Sequence, residues 1–123
     1  MESLIESLVL PPPNLRGGRP LMEVLKDRKS DRFFSDKPVE PQHIADLLWA
    51  ASGVNRPDES HLTAPSAMNW QEIQVYIIVP QGLFRYEKSD GVLAFISDVD
   101  MRELAGTQDF VADAPLNLIY AAD

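Results

Sequence analysis

The sequence predicts a single domain, or part of one, that contains both α-helices and a β-sheet. Apolar residues recur at helical spacing across residues 44–51, where positions i, i+3, i+4 and i+7 are all apolar. Residues 75–79 form a β-branched and aromatic run that Pro80 ends, which is typical of a buried strand. The chain has 123 residues, of which 45% are hydrophobic, so it can build one core but has no room for two full domains.

Cysteine is absent from the sequence. This excludes disulfides, thiolate zinc sites, iron–sulfur clusters and a cysteine nucleophile. His43 and His61 are the only histidines, too few for a histidine-rich metal site.

The charge balance is acidic, with 11 basic and 19 acidic residues and a formal net charge of −8. Binding to nucleic acid or to anionic lipid needs clustered cations, so neither partner is expected. No segment approaches the roughly 20 consecutive apolar residues of a membrane span. Glu2 and Glu6 stand where a secretory signal would carry basic residues, so the sequence as written favours a cytoplasmic protein.

The first half is expected to contain an arm and two helices. Proline and glycine in residues 8–20 argue against a helix or an interior strand, so residues 1–20 are interpreted as an extended arm. Residues 21–29 are predicted to form a short amphipathic helix, and Phe33 and Phe34 to anchor the loop that follows. A second helix is expected to begin at Pro41 and to end at Gly53.

The second half is expected to be mainly β-structure. Residues 55–69 are turn-rich and restart as a helix at their end, and after the strand at 75–79 residues 83–86 pair back as a hairpin. A third strand is predicted at 92–96. Ser97 and Asp100 resemble a capping box for a helix that Gly106 ends, and a further helical turn covers 108–112. Residues 116–121 are predicted to form a central strand. Because this strand has nothing after it to cover its face, the chain is interpreted as the front part of a longer domain.

Basic residues are concentrated near the N-terminus, where seven of the 11 fall between positions 14 and 37. Within this window the sequence Arg28-Lys29-Ser30-Asp31-Arg32 places two guanidinium groups and a hydroxyl close together. Guanidinium groups bind oxyanions through paired hydrogen bonds, which favours a phosphate site. The competing interpretation is a solvated helix terminus whose cations compensate the helix dipole, and spacing alone favours it.

A second polar cluster, Pro65-Ser66-Ala67-Met68-Asn69-Trp70-Gln71, precedes the strand at 75–79. The side chains of Asn69 and Gln71 both donate and accept hydrogen bonds, as a planar heterocycle with a mixed rim requires. Trp70 and Met68 are interpreted as packing residues.

Several motifs in order resemble the nitroreductase-like flavoproteins, and within them the SagB-type group that oxidises azolines. The segments that carry the resemblance are residues 18–22, 28–34, 47–56, 63–72, 106–111 and 114–118. Many members have Pro-Trp shortly after the Asn-x-Gln motif. Glu72 and Ile73 stand there in this chain, which points to the SagB-like group.

The resemblance implies an α+β fold with a central, mostly antiparallel sheet flanked by helices, in a domain that covers residues 21–123 and lacks its C-terminal part. It implies an intertwined homodimer with FMN at the subunit interface. It assigns Arg28 and Ser30 to the FMN phosphate with Lys29 in support. It places Arg32 near the pyrimidine edge of the ring, where charge accumulates on reduction. It assigns to Asn69 a hydrogen bond to the flavin, with Pro65, Ser66 and Gln71 lining the same side of the site.

The activity implied is hydride transfer from NADH or NADPH through FMN to a small nitro, quinone or related acceptor, in a ping-pong cycle. No side-chain acid or nucleophile is required, because the cofactor performs the redox chemistry. Two other hypotheses remain. One is a truncated, catalytically silent fragment of the family, and the other is a simple anion-binding module that uses Arg28, Ser30 and Arg32.

Overall fold

A computed structural model of the chain describes residues 7–57 and 60–122. It contains two α-helices, α1 (Leu21–Asp27) and α2 (Pro41–Ser52), and seven strands. The strands are β1 (Ser7–Val9), β2 (Val54–Arg56), β3 (His61–Leu62), β4 (Ile73–Val79), β5 (Gly82–Glu87), β6 (Val92–Ser97) and β7 (Asn117–Ala122). Short 3-10 turns lie at Ala67–Asn69, Arg102–Leu104 and Asp109–Asp113.

Five strands form one sheet in the order β1-β6-β5-β4-β7, and every neighbouring pair is antiparallel. A separate two-stranded hairpin is made by β2 and β3. The helices together with this sheet confirm the α+β class. The strands predicted at 75–79, 83–86 and 92–96 are confirmed as β4, β5 and β6. The β2–β3 hairpin was not predicted, because its two short strands lie in a segment whose composition is typical of a turn.

The core lies between α2 and one face of the sheet. Leu48 of α2 is fully buried against Val75 and Ile77 of β4, together with Phe84 and Tyr86 of β5. Burial alternates along β5, as expected for a strand with one covered face. Tyr76, which we expected in the core, is only half-buried, because the register pairs it with Arg85 and its side chain points to the opposite face.

Helix α2 begins and ends where the sequence predicted, at Pro41 and before Gly53. Gly53 has φ −84° and an extended backbone, so it is not there to supply a left-handed conformation. It is needed for space. A Cβ atom at Gly53 would lie 2.4 Å from Cδ1 of Trp49 and 2.7 Å from the Trp49 carbonyl oxygen.

The described part of the N-terminal arm, residues 7–20, begins with an edge strand, β1, that pairs with β6. Farther along, the arm is held on α2: the Asn14 N–H donates to Oδ1 of Asp46 at 2.7 Å, and Nε2 of Gln42 donates to the Pro12 carbonyl at 2.8 Å. The hydrogen bond from Asn14, with a smaller contribution from Gln42, lowers the pKa of Asp46. Residues 1–6 of the predicted arm lie outside the described residues.

The helix predicted after Ser97 is wrong. Only the 3-10 turn Arg102–Leu104 forms there, and the apolar side chains of Val99 and Leu104 are exposed. Ser97 Oγ accepts from the Val99 N–H and Asp100 Oδ1 from the Arg102 N–H, so each side chain closes its own short turn. The helical turn expected at 108–112 is present as the 3-10 turn Asp109–Asp113.

Strand β7 exists as predicted but lies at an edge of the sheet rather than in its centre. Among the described residues it pairs only with β4, and Tyr120 is 61% exposed. Apolar content identified the strand because its inward side chains, such as Leu118, pack against the core. Composition does not reveal how many neighbours a strand has.

Several side chains expected to pack are exposed. Phe33, predicted to anchor its loop, is 90% exposed, and Phe34 is also exposed. Trp70 and Met68, interpreted as packing residues, are 69% and 83% exposed. Helix α1 is confirmed at Leu21–Asp27, yet none of its residues is buried. Within the described part of the chain, no helix combines the length and apolar character that crossing a bilayer would require.

Candidate functional site

The basic segment, Arg28 to Arg32, is an exposed stretch of irregular backbone that directly follows α1. The Arg28 N–H still donates to the Val24 carbonyl at 2.9 Å, which closes the helix. The side chains of Arg28, Lys29 and Ser30 make no hydrogen bond or ion pair with any described residue. The segment therefore presents its donors to solvent.

Three arginines elsewhere in the described ranges, Arg19, Arg85 and Arg102, are paired with carboxylates. Arg19 is hydrogen-bonded to Asp27 and Glu23, which raises its pKa. Arg102 is likewise paired with Asp100 at 2.9 Å, and Arg85 with Glu87 at 2.5 Å. The basic segment thus carries uncompensated positive charge in a chain whose net charge is −8.

Arg32 has one specific contact. Its guanidinium carbon lies 5.2 Å from the centroid of the Phe110 ring, a cation–π arrangement. The contact connects the basic segment to the 3-10 turn Asp109–Asp113. Sequence reasoning missed it because the two residues are far apart in the chain and no periodic pattern links them.

The second cluster forms a compact loop, residues 65–71, between the β2–β3 hairpin and β4. Met68, Asn69 and Gln71 have φ values of 52°, 54° and 53°, in the left-handed region. Asparagine tolerates this region, whereas methionine and glutamine adopt it at a cost of about 1 kcal/mol or more each. Such strained positions cluster at functional sites, so this loop is the strongest candidate for a binding element.

Hydrogen bonds hold the loop in this shape. The Gln71 N–H donates to Ser66 Oγ at 2.9 Å, and the Asn69 N–H donates to the Ser66 carbonyl at 3.0 Å. Nε2 of Gln71 donates to Asn69 Oδ1 at 2.8 Å and to the Ser60 carbonyl at 2.5 Å. The structure therefore brings Ser66, Asn69 and Gln71 together in one hydrogen-bonded network.

Two cavities lie against this loop, and both are lined by Leu62 and residues 64–66. The first, of about 210 Å³, is mainly apolar and is lined also by Gln71, Val75 and Tyr120. The second, of about 220 Å³, is lined also by Arg56, His61 and Asn69. Each is smaller than the roughly 300 Å³ at which ligand pockets usually begin.

The basic segment, with Arg28, Lys29, Ser30 and Arg32, lines neither of the two cavities that lie against the loop. Pro65 and Ser66 line both, Asn69 lines one, and Gln71 lines the other. The eight predicted site residues therefore fall into two groups, four that line these cavities and four that do not.

Comparisons with known proteins agree on one family. The sequence model described as "Nitroreductase family" matches residues 25–123. A protein of Methanocaldococcus jannaschii named "Putative nitroreductase MJ1384" is 30% identical over an aligned length of 113 residues, and the match covers 84% of this chain and 57% of that protein.

A solved structure is also similar. It is the crystal structure of "a putative nitroreductase" from Ralstonia eutropha JMP134, with a TM-score of 0.88 and 41% sequence identity, covering 95% of this chain and 56% of the other. This chain thus spans just over half the length of each of these relatives.

Proposed function

This chain belongs to the nitroreductase family, and from that premise we propose that it provides FMN-binding surfaces of a flavin-dependent oxidoreductase. The proposed reaction takes a hydride from NADH or NADPH and delivers reducing equivalents to a small nitro, quinone or related acceptor. Bound FMN supplies the hydride-accepting and hydride-donating chemistry. The protein binds the FMN, orients it and provides charged side chains around it.

The donors of the basic segment fit a phosphate group. Arg28 offers a planar fork of N–H donors, Ser30 a hydroxyl and Lys29 a second positive charge, and none of the three is occupied by another described side chain. An anion that binds there has no carboxylate to displace. We assign Arg28 and Ser30 to the FMN phosphate, with Lys29 in support.

Arg32 is assigned to the ring rather than to the phosphate. Its contact with Phe110 holds the guanidinium at a defined place, where its charge would stabilise negative charge on the pyrimidine edge of a reduced flavin. Asn69 is assigned a hydrogen bond to the ring. Pro65, Ser66 and Gln71 are assigned to the same side of the site, and Pro65 and Ser66 line both the cavity of Asn69 and that of Gln71.

A homodimer accounts for the separation of the two groups of residues. Because the basic segment does not line the cavities at the loop, we propose that a complete site forms when the segment of one copy meets the loop of another. The exposed apolar side chains beside the segment support this arrangement, because contiguous apolar surface of this kind marks an interface. They are Leu21, Met22, Val24, Leu25, Phe33 and Phe34.

The observation that carries the proposal is the group of unpaired side-chain donors Arg28, Lys29 and Ser30 in a nitroreductase-family chain. The test is a titration of the purified protein with FMN, followed by absorption spectroscopy, with anaerobic addition of NADH or NADPH to observe bleaching of the bound flavin. We expect saturable binding and bleaching. If the absorption spectrum shows no binding of added FMN by the protein, the proposal is overturned.

A simple anion-binding module is the second candidate, favoured by the separation of the basic segment from the loop. It predicts that inorganic phosphate and FMN raise the melting temperature equally at equal concentration. A flavin site predicts a far larger shift with FMN. The same purified protein distinguishes the two.

A further inference from the structure

We infer that Gln71 is a positioning residue that fixes the side-chain amide of Asn69 with its nitrogen directed away from Gln71, toward the ligand. The inference rests on the proposed function for the identity of the ligand. The orientation itself rests only on the hydrogen bonds of the loop.

The orientation follows from a chain of donors and acceptors. The Ser60 carbonyl can only accept, so the Gln71 side-chain atom 2.5 Å from it is the nitrogen Nε2. The same nitrogen lies 2.8 Å from the side chain of Asn69, so the Asn69 atom facing it must be the acceptor Oδ1. A backbone group that cannot change its role therefore determines the orientation of both amides.

The network leaves no spare donor on Gln71. Its Nε2 carries two hydrogens, and the Ser60 carbonyl and Asn69 Oδ1 use both. Its backbone N–H is used by Ser66 Oγ. All N–H groups of Gln71 thus donate to atoms of the protein. Of the two side-chain amides, only Nδ2 of Asn69 can still donate to a ligand.

The two amides face different cavities. Gln71 lines the apolar cavity next to Val75, whereas Asn69 is exposed and lines the second cavity beside Arg56 and Pro65. Asn69 therefore presents two N–H donors on its side of the loop. The ligand atom that it recognises is an acceptor, such as a carbonyl oxygen or a ring nitrogen without hydrogen.

The test uses two substitutions at Gln71 that differ in what they do to Asn69. Gln71→Leu removes the donors and lets the Asn69 amide rotate. Gln71→Glu places a carboxylate opposite Asn69 Oδ1, so Asn69 turns its nitrogen inward and presents its carbonyl to the ligand. Gln81→Glu, the same change at an exposed turn outside the loop, is the matched control.

The first measurement needs no flavin. Side-chain amide NMR should show the Gln71 Nε2 hydrogens protected from solvent exchange and the Asn69 Nδ2 hydrogens exchanging fast. In Gln71→Glu the Asn69 hydrogens should become protected, which mere loosening of the loop would not cause. Protected Asn69 hydrogens beside freely exchanging Gln71 hydrogens in the unsubstituted protein would overturn the inference.

The second measurement is the FMN dissociation constant of each variant. We expect a loss of about tenfold for Gln71→Leu, about a hundredfold for Gln71→Glu, and no change for Gln81→Glu. Equal losses for the two Gln71 variants, or none, would overturn the inference while the proposed function stands. If the unsubstituted protein does not bind FMN, the proposed function fails, and the NMR measurement alone decides the orientation of Asn69.

Discussion

The guanidinium of Arg32 lies over the ring of Phe110, 5.2 Å from its centroid. This contact holds one end of the otherwise unpaired basic segment against the 3-10 turn Asp109–Asp113. A charge that must act on a bound ring needs a fixed position, because electrostatic stabilisation depends on preorganisation. We therefore include Phe110 in the proposed site as the residue that positions Arg32.

Phe110→Leu should weaken FMN binding by about two- to fivefold, because a partly exposed cation–π contact contributes about 0.5–1 kcal/mol. Phe110→Tyr retains an aromatic face and should bind FMN as the unsubstituted protein does. Fluorescence titration with FMN measures both. Equal affinity for the leucine and tyrosine variants would show that the ring does not hold Arg32 in place.

Replacing the side chains proposed to bind the FMN phosphate should reduce FMN affinity more than Phe110→Leu does. Arg28→Ala and Ser30→Ala should each reduce FMN affinity, by about ten- to a hundredfold for the arginine and less for the serine, because hydrogen bonds to charged groups contribute about 1.5–3 kcal/mol. Riboflavin, which lacks the phosphate, should bind all these proteins equally. Arg16→Ala is the control, since it removes an exposed cation outside the segment. A similar loss for Arg16→Ala would indicate general charge attraction rather than a site.

The arm should detach when its anchor on α2 is removed. Asp46→Ala deletes the acceptor that holds the Asn14 N–H, so the backbone around Arg16 becomes more accessible. Trypsin should then cleave after Arg16 faster than in the unsubstituted protein, as followed by mass spectrometry. Asp90→Ala, which removes an exposed carboxylate from the β5–β6 turn, should leave the rate unchanged. An unchanged rate in Asp46→Ala would mean that the arm is held elsewhere.

The same anchor should respond to acid. The pKa of Asp46 is lowered in the folded protein, mainly by the N–H of Asn14. A depressed carboxyl pKa contributes stability that is fully present above the unfolded value, near 3.8, and is lost as the pH falls through the folded value. Hydrogen exchange at the Asn14 amide should therefore accelerate, beyond its intrinsic pH dependence, only at a pH below 3.8. Extra acceleration at pH 5–6 would contradict this assignment.

Gly53→Ala should destabilise the fold by about 1–3 kcal/mol, because overpacking forces neighbouring atoms to shift. The added Cβ would meet Cδ1 and the carbonyl oxygen of Trp49 at 2.4 and 2.7 Å. Gly106→Ala is the control, since its Cβ would meet only the side chain of Val111, at 2.9 Å. Urea unfolding measures both free energies. Equal stability of Gly53→Ala and the unsubstituted protein would refute the close contact with Trp49.

Much of the fold could be predicted because local pattern and burial agree. Helix α2 has a proline at its start, an apolar stripe and a glycine after its end, and β4 is β-branched and buried. The prediction of a helix after Ser97 was wrong because apolar spacing produces a helix only where a core covers the apolar face, and here Leu104 is exposed. The prediction that β7 lies in the centre of the sheet was wrong, because the apolar content of a strand indicates that its faces are covered and does not indicate how many strands are hydrogen-bonded to it.

For the candidate site, the sequence predicted which residues take part but not their backbone conformation or their contacts. Its residues could be named from motifs, and the structure brings Ser66, Asn69 and Gln71 into one network. The left-handed turns and the Arg32–Phe110 contact were missed, since both depend on tertiary context. Trp70 and Phe33 were expected to pack because large apolar side chains usually do. Their exposure makes them candidates for contact with a second copy.

In the proposed dimer, the basic segment of one copy and the loop of another form a single flavin site. Subunit mixing tests it most directly, with Arg28→Ala and Asn69→Leu as variants that bind FMN poorly alone. In a mixed dimer one site receives an intact Arg28 and an intact Asn69 from different copies, so about a quarter of the sites in a random mixture should regain the original affinity. A mixture that binds no more FMN than the two separate variants would contradict a shared site.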